Sequence, residues 1–230
     1  MFGSELIEDR VRNPKQKGPA IVPFITAGYP HKDDFLSLVQ ALADCADVIE
    51  IGVPFSDPMA DGVTIQRSSH LAIENGVRLR WILNQLKTIS IDTPIILMSY
   101  LNPLYVYGYT QLAQDSKDAG VDGFIVPDLP IEEGEELREI LKLAGLGMIQ
   151  LVTPATPEDR IKKIAAKSSG FLYAVTVKGV TGGNDGLSKE VTGYLEAVKA
   201  LATIPVCAGF GVRSSSDVAL LEPLVDGVIV

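Results

Sequence analysis

Short apolar runs recur along the chain, and longer stretches with helical periodicity separate most of them. Runs this short and this apolar are typical of strands buried on both faces, as in a parallel sheet. The eight runs are AIVPFI (20–25), DVIEIGV (47–53), PIILMSY (94–100), GFIVP (123–127), GMIQLV (147–152), GFLYAVTV (170–177), IPVCAGF (204–210) and DGVIV (226–230). Their alternation with helical segments predicts an α/β fold.

The segments between the runs carry helix signals of their own. Residues 33–45 and 134–145 place their apolar side chains largely on one stripe, as amphipathic helices do. TPED at 156–159 predicts a helix start with proline at the first helical position. SSSD at 214–217 predicts a second capped start.

An open doubly wound sheet and a closed (β/α)₈ barrel (a TIM barrel) share this alternation. Eight units in 230 residues favour the barrel, which typically needs about 250 residues. We expect one barrel domain over residues 1–230, because no charge run, low-complexity segment or linker divides the chain, and an extra helix in residues 1–15. The sequence reaches Val230 at the end of the eighth strand, so we expect a barrel truncated after strand 8, or an outer ring with a gap there.

Composition narrows the range of partners. The net charge of −9 argues against nucleic acid and anionic membranes, since both attract basic surfaces. The long uncharged run at 93–114 contains prolines and a glycine, which disfavour a membrane span. Cys45 and Cys207 lie in apolar contexts and indicate no disulfide framework. The first ten positions already contain Glu5, Glu8, Asp9 and Arg10, so we expect no signal peptide and a soluble cytoplasmic protein.

Glu50 interrupts the second apolar run. Because side chains alternate along a strand, Glu50 points into a barrel mouth if Ile49 and Ile51 pack outward. Desolvation there would raise its pKa and let it carry a proton near neutrality, whereas on an irregular strand it would only face solvent. Asp61 follows in a loop of turn-forming residues, where it either touches a ligand or closes a turn.

Two glycine-rich stretches follow late strands. CAGFGVRSSSD at 207–217 runs into a helix start and predicts a phosphate site around 209–211, although any turn can use the same spacing. TVKGVTGGNDG at 176–186 is either a lid over a ligand or a surface loop. Tyr100 and Tyr173, near strand ends, either line an aromatic pocket or fill the barrel.

Long motifs resemble one known family, the tryptophan synthase alpha chains. The match runs in order through VPFITAGYP (22–30), IEIGVPFSDPMADGVTIQ (49–66), PIILMSYLNPLYVYG (94–108), GFIVPDLPIEE (123–133), GVTGG (179–183) and GFGV (209–212). The resemblance implies a (β/α)₈ lyase that cleaves indole-3-glycerol phosphate into indole and glyceraldehyde 3-phosphate, without metal or organic cofactor. It also implies a partner, the pyridoxal-phosphate-dependent beta chain, which receives indole through a tunnel in an α₂β₂ assembly and uses it for tryptophan synthesis.

The resemblance also assigns roles to individual positions. Glu50 matches the catalytic acid/base, and Asp61 matches the carboxylate that contacts the indole N–H. The matched substrate-binding positions are Tyr173 beside the reacting side chain, Thr181 and Gly182 in the lid, Gly209, Phe210 and Gly211 in the phosphate cradle, and Phe24, Ile65, Tyr100 and Leu129 around the indole. Position 63 departs from the family, because it is valine where proline is common. Two alternatives stay open: a regulatory subunit that activates the beta chain without cleaving substrate, and a free-standing lyase.

Overall fold

The computed structural model describes residues 2–176, 187–209, 211–212 and 214–230. Within these residues nine strands pair in parallel throughout, in the order β1-β9-β8-β7-β6-β5-β4-β3-β2. The strands are β1 Ala20–Val22, β2 Phe24–Thr26, β3 Ile49–Gly52, β4 Ile95–Met98, β5 Gly123–Ile125, β6 Gly147–Val152, β7 Leu172–Val175, β8 Val206–Gly209 and β9 Gly227–Ile229.

Ten α-helices in the same residues surround the sheet or cover one end of it. They are α1 Gly3–Arg12, α2 Phe35–Ala43, α3 Val63–Glu74, α4 Leu79–Leu86, α5 Leu101–Tyr107, α6 Tyr109–Asp118, α7 Glu135–Ala144, α8 Glu158–Ala165, α9 Lys189–Leu201 and α10 Ser215–Leu221. Ser214 caps α10 through a reciprocal capping box with Asp217, as predicted. The predicted place of Pro157 is wrong by one residue, because it is the N-cap of α8 and the helix begins at Glu158.

The first apolar run closes the barrel, and Pro23 divides it into two strands. β1 pairs with β9, whereas β2 pairs with β3. Proline has no N–H to donate, but its carbonyl accepts the Glu50 N–H at 2.9 Å. On the other side of the strand, Phe24 N–H donates to the Val230 carbonyl at 2.9 Å. The eight predicted runs therefore form a (β/α)₈ barrel whose first strand is β1 plus β2, and the predicted fold class is confirmed.

Side-chain alternation separates two apolar layers. Ile49 and Ile51 belong to the layer between sheet and helices, whereas Val48 belongs to the barrel interior. The interior is close-packed in its lower part by four side chains that are at most 1% exposed: Ile96, Ile125, Ile149 and Phe171. Such a barrel is a packed core and not a channel.

Helix α1 covers the N-terminal end of the barrel, as the predicted extra helix. Its Ile7 and Val11 are buried in the interior cluster. A Cβ at Gly123 or Gly170 would meet Ile7 at 3.0 or 2.8 Å, so two glycines allow this close approach. The opposite end, where the strands finish, is left for the loops that carry polar side chains. No helix within the described residues is long and apolar enough to cross a membrane.

Candidate active site

Glu50 lies in the middle of β3 and points into the barrel interior. It is 1% exposed, and its Oε2 has no hydrogen-bond partner among the described residues. Burial, and secondarily the negative charge of Asp61, raises the pKa of Glu50 from 4.5 to about 8. A carboxyl group of this kind holds a proton at neutral pH and can exchange it with a ligand that reaches it.

Asp61 lies on the loop between β3 and α3, and Tyr100 fixes its carboxylate. The Tyr100 hydroxyl donates to Asp61 Oδ2 at 3.0 Å and accepts the Ala60 N–H at 2.9 Å. The ring of Tyr100 stacks on Phe55, with centroids 5.1 Å apart. Burial raises the pKa of Asp61, and the hydrogen bond from Tyr100 opposes that rise. The loop therefore presents a half-buried carboxylate with one fixed donor.

Phe24 and Gly52 shape the interior around Glu50. Phe24 faces Glu50 across the β2–β3 pair and is packed against the interior cluster. A Cβ at Gly52 would lie 2.6 Å from the Phe24 ring, so glycine is required for the ring to lie above the end of β3. The result is an aromatic side chain beside the buried carboxyl group.

Tyr173 reaches the same space from β7. It is 7% exposed, and burial, followed by the negative charge of Glu50, raises its pKa well above the usual range. A Cβ at Gly209 would lie 2.5 Å from the Tyr173 hydroxyl and 2.9 Å from Ile229 Cβ, so only glycine fits at the end of β8. The structure thus brings Glu50, Asp61 and Tyr173 together from three parts of the chain.

Other residues singled out from the sequence are more dispersed. Gly211 has a φ of +89°, a conformation that favours glycine. Ile65 is half-buried on α3. Leu129 packs in the layer outside the sheet and is not part of the interior cluster. Thr181, Gly182 and Phe210 lie outside the described residues.

Sequence reasoning missed the contact between Tyr100 and Asp61. The two residues are 39 positions apart, and no motif links them. The available signal was weak: each follows the carboxyl end of a strand, and β3 and β4 are neighbours in the sheet. As for metal binding, the described residues contain no group of three or more His, Cys, Asp or Glu arranged to hold an ion.

Comparisons with known proteins agree with this geometry. The family model for the tryptophan synthase alpha chain matches residues 11–230. A tryptophan synthase alpha chain from Nitratidesulfovibrio vulgaris (strain DP4) is 43% identical over 227 residues, covering 97% of this chain and 88% of the relative. The alpha subunit structure from Legionella pneumophila str. Paris superposes with a TM-score of 0.88 at 34% identity, covering 100% of this chain and 86% of the other. A chain from the tryptophan synthase a2b2 complex of Pyrococcus furiosus gives a TM-score of 0.85 at 39% identity, with 92% and 86% covered.

Proposed function

The chain belongs to the tryptophan synthase alpha chain family, and on that premise we propose that it cleaves indole-3-glycerol phosphate at the mouth of its barrel. The products are indole and glyceraldehyde 3-phosphate. One observation carries the proposal: Glu50 is a buried carboxyl group with an unpartnered oxygen, facing the interior beside Asp61. Buried acids without partners are rare unless a ligand uses them.

The reaction breaks the carbon–carbon bond between indole C3 and the glycerol side chain. Cleavage needs a proton on C3 and removal of a proton from the adjacent glycerol hydroxyl. Glu50, with a pKa of about 8, is protonated at neutral pH and donates to C3. The resulting carboxylate then takes the hydroxyl proton as the carbon–carbon bond breaks, so that one group returns to its starting state.

Asp61 has the complementary task. Protonation at C3 places positive charge on the indole nitrogen, and an ionised carboxylate near the N–H stabilises it. The hydrogen bond from Tyr100 favours the ionised form of Asp61, whereas the environment of Glu50 favours its neutral form. Two carboxyl groups whose surroundings push their pKa values apart suit a paired acid and charge stabiliser.

The remaining substrate contacts are proposed from where each residue lies relative to Glu50 and the strand ends. Phe24, beside Glu50, and Ile65 on α3 are proposed walls for the indole ring, with Tyr173 positioning the side chain that reacts. Gly209 and Gly211 are proposed to hold the phosphate together with Phe210, because glycines let backbone N–H groups approach an anion closely. Thr181 and Gly182 are proposed to cover the bound substrate.

We also propose that the chain assembles with a tryptophan synthase beta chain, as the named Pyrococcus furiosus a2b2 complex does. Support comes from apolar side chains that face solvent on consecutive segments. Met59 and Val63 follow β3 and are 83% and 81% exposed, while Tyr105 and Val106 follow β4 and are 70% and 77% exposed. Exposed apolar groups gathered at one end of a molecule mark interaction sites. Here they would place the partner at the mouth, where indole leaves.

The test is Glu50→Gln, assayed for indole release from indole-3-glycerol phosphate with and without the beta chain. We expect turnover to fall about 10²- to 10⁴-fold, since one proton-transfer group is lost. Glu139→Gln is the matched control, because that carboxylate is exposed on α7. Near-normal turnover by folded Glu50→Gln contradicts the proposal. Wild type that stimulates the beta chain but releases no indole would instead identify a regulatory subunit.

A further inference from the structure

We propose that Tyr100 is a positioning residue for this reaction: its hydroxyl fixes the Asp61 carboxylate in place and keeps it ionised. The inference rests on the proposed function, because it concerns the role that the reaction gives to Asp61. It concerns a hydrogen-bonded unit of Tyr100, Asp61 and the Ala60 peptide, which we call the tyrosine clamp.

Backbone hydrogen bonds on both sides of Tyr100 hold its main chain in place. Tyr100 lies between the end of β4 and the first residue of α5. Ser99 N–H donates to the Ile125 carbonyl at 3.0 Å, and Leu101 N–H donates to Asp128 Oδ1 at 2.9 Å. The peptides on either side are thus tied to β5 and to the loop that follows it. The Cα of Tyr100, from which its side chain extends, is therefore fixed relative to β5.

The ring is equally constrained. Tyr100 is 4% exposed, and the Phe55 ring stacks on it with an interplanar angle of 25°. Offset stacking of two aromatic rings is worth more than the area they bury. Because Phe55 belongs to the same loop as Asp61, the stack and the hydroxyl hold that loop at two separate points. Rotation of the Tyr100 side chain would break both.

The hydroxyl uses its donor and one acceptor position on the loop. It donates to Asp61 Oδ2 at 3.0 Å and accepts the Ala60 N–H at 2.9 Å. The loop around them is otherwise open to water, with Met59, Ala60 and Gly62 exposed. Its local backbone bonds are short-range, from Met59 to Asp57 and from Asp61 to Pro58. The clamp therefore ties a carboxylate on an exposed loop to a rigid strand end.

Burial of Asp61 explains why a donor is needed. Burial raises the pKa of Asp61 and so disfavours its ionised form, whereas the hydrogen bond from Tyr100 acts in the opposite direction. The titratable neighbours are Glu50 from β3 and Tyr173 from β7, whose pKa values are raised by burial and secondarily by the charge of Asp61, and Asp128 from the loop after β5, whose charge acts on Tyr100. Glu50 and Tyr173 are held neutral by burial, so the Tyr100 hydroxyl is the neighbour that favours an ionised Asp61. Without the hydroxyl, the pKa of Asp61 should rise further, because the one contribution that lowers it is lost.

Tyr100→Phe removes the hydroxyl and leaves the ring. We expect kcat to fall about 10- to 100-fold, the range for losing a hydrogen bond to a charged group. The acid limb of the pH profile of kcat/KM should move to higher pH, since the active form needs Asp61 ionised. Tyr107→Phe is the matched control, because the Tyr107 hydroxyl donates to Asp115 Oδ2 at 2.6 Å. It lies where α5 meets α6, outside the proposed site, so both readouts should stay unchanged.

Asp61→Asn separates failure of this inference from failure of the proposed function. If wild type cleaves substrate, Asp61→Asn does not, and Tyr100→Phe behaves like Tyr107→Phe, the clamp is wrong and the function stands. If wild type with its beta chain cleaves nothing, the function and the inference fall together. Should Tyr100→Phe not fold, 3-fluorotyrosine at position 100 keeps the ring and donates more strongly. The acid limb should then move to lower pH, and an unmoved limb overturns the inference.

Discussion

The substitution Glu50→Gln should change how stability depends on pH, independently of its effect on turnover. Glu50 is 1% exposed and lacks a partner for Oε2 in the described structure, so its charged form is costly in the folded protein. In the unfolded chain the same carboxyl group is solvated. Glutamine has nearly the same shape but does not titrate. The comparison therefore isolates the free energy of ionising one buried group.

The sign and size follow from linkage. The pKa of Glu50 is raised from 4.5 to about 8, so the folded state holds a proton that the unfolded state has released. Wild-type stability is therefore unpenalised below pH 4.5, falls as pH rises, and levels off above about pH 8. Each pH unit inside that window costs about 1.4 kcal/mol, and the whole window is worth on the order of 5 kcal/mol. The unfolding free energy of Glu50→Gln minus that of wild type should rise by that amount.

Urea unfolding of both proteins at intervals from pH 5 to pH 9 measures this difference. Other titrating groups contribute to both curves and cancel in the subtraction. Glu139→Gln is the matched control, because it removes a carboxylate that is exposed on α7. A difference between Glu50→Gln and wild type that does not change with pH would mean that the carboxyl group is hydrated in the folded protein, and the reasoning would be refuted.

Two further predictions concern other parts of the barrel. Burial raises the pKa of Asp122 to about 6, against an opposing hydrogen bond from Ile95 N–H, so wild type should lose stability as pH rises from about 4 to 6. Thermal unfolding at pH 4.5 and pH 7 should show that the stability of Asp122→Asn relative to wild type is greater at pH 7. The same difference in stability at both pH values would contradict this prediction. Gly209→Ala should lower both turnover and unfolding free energy, by about 1–3 kcal/mol for the latter, because its Cβ would lie 2.5 Å from the Tyr173 hydroxyl. Gly193→Ala, in α9, should instead raise the unfolding free energy by about 0.5–1 kcal/mol, because nothing lies within 4 Å of the added Cβ. Calorimetry measures both changes in stability. If both variants were stabilised or both destabilised, the packing argument would be contradicted.

The barrel could be predicted from sequence because its signal is repeated and local. Each strand is a short apolar run, and side-chain alternation alone places Glu50 on the opposite face of the strand from Ile49 and Ile51. Pro23 marks a possible break in AIVPFI, but the pairing could not be predicted, because the run does not show which neighbour each half joins. Local periodicity predicts which face of a strand a residue occupies. It does not predict which strands pair to close the barrel, because that pairing depends on the whole sheet.

Side-chain partnerships across loops were harder to predict for a related reason. Leu129 follows a strand end, as Tyr100 does, yet Leu129 turns into the layer between sheet and helices while Tyr100 reaches Asp61. The direction that each side chain takes depends on loop geometry that one sequence does not encode in any short pattern. Glycine spacing predicted a phosphate site around 209–211, which stays a prediction, and it gave no sign that the Tyr173 hydroxyl leaves no room for a Cβ at Gly209.

The two ends of the barrel interior differ in polarity, and this difference bears on function. Its lower part is sealed by α1 and filled by apolar side chains, whereas Glu50, Tyr173 and Cys207 share the rest of it. Burial raises the pKa of all three, so each is held neutral by the same desolvation. A core selected for stability alone would place an apolar residue at position 50, since that would remove a penalty of several kcal/mol at alkaline pH. Under the proposed function, the substrate completes the hydrogen bonding of Glu50 Oε2 and so accounts for this cost, and it enters from the end that α1 leaves uncovered.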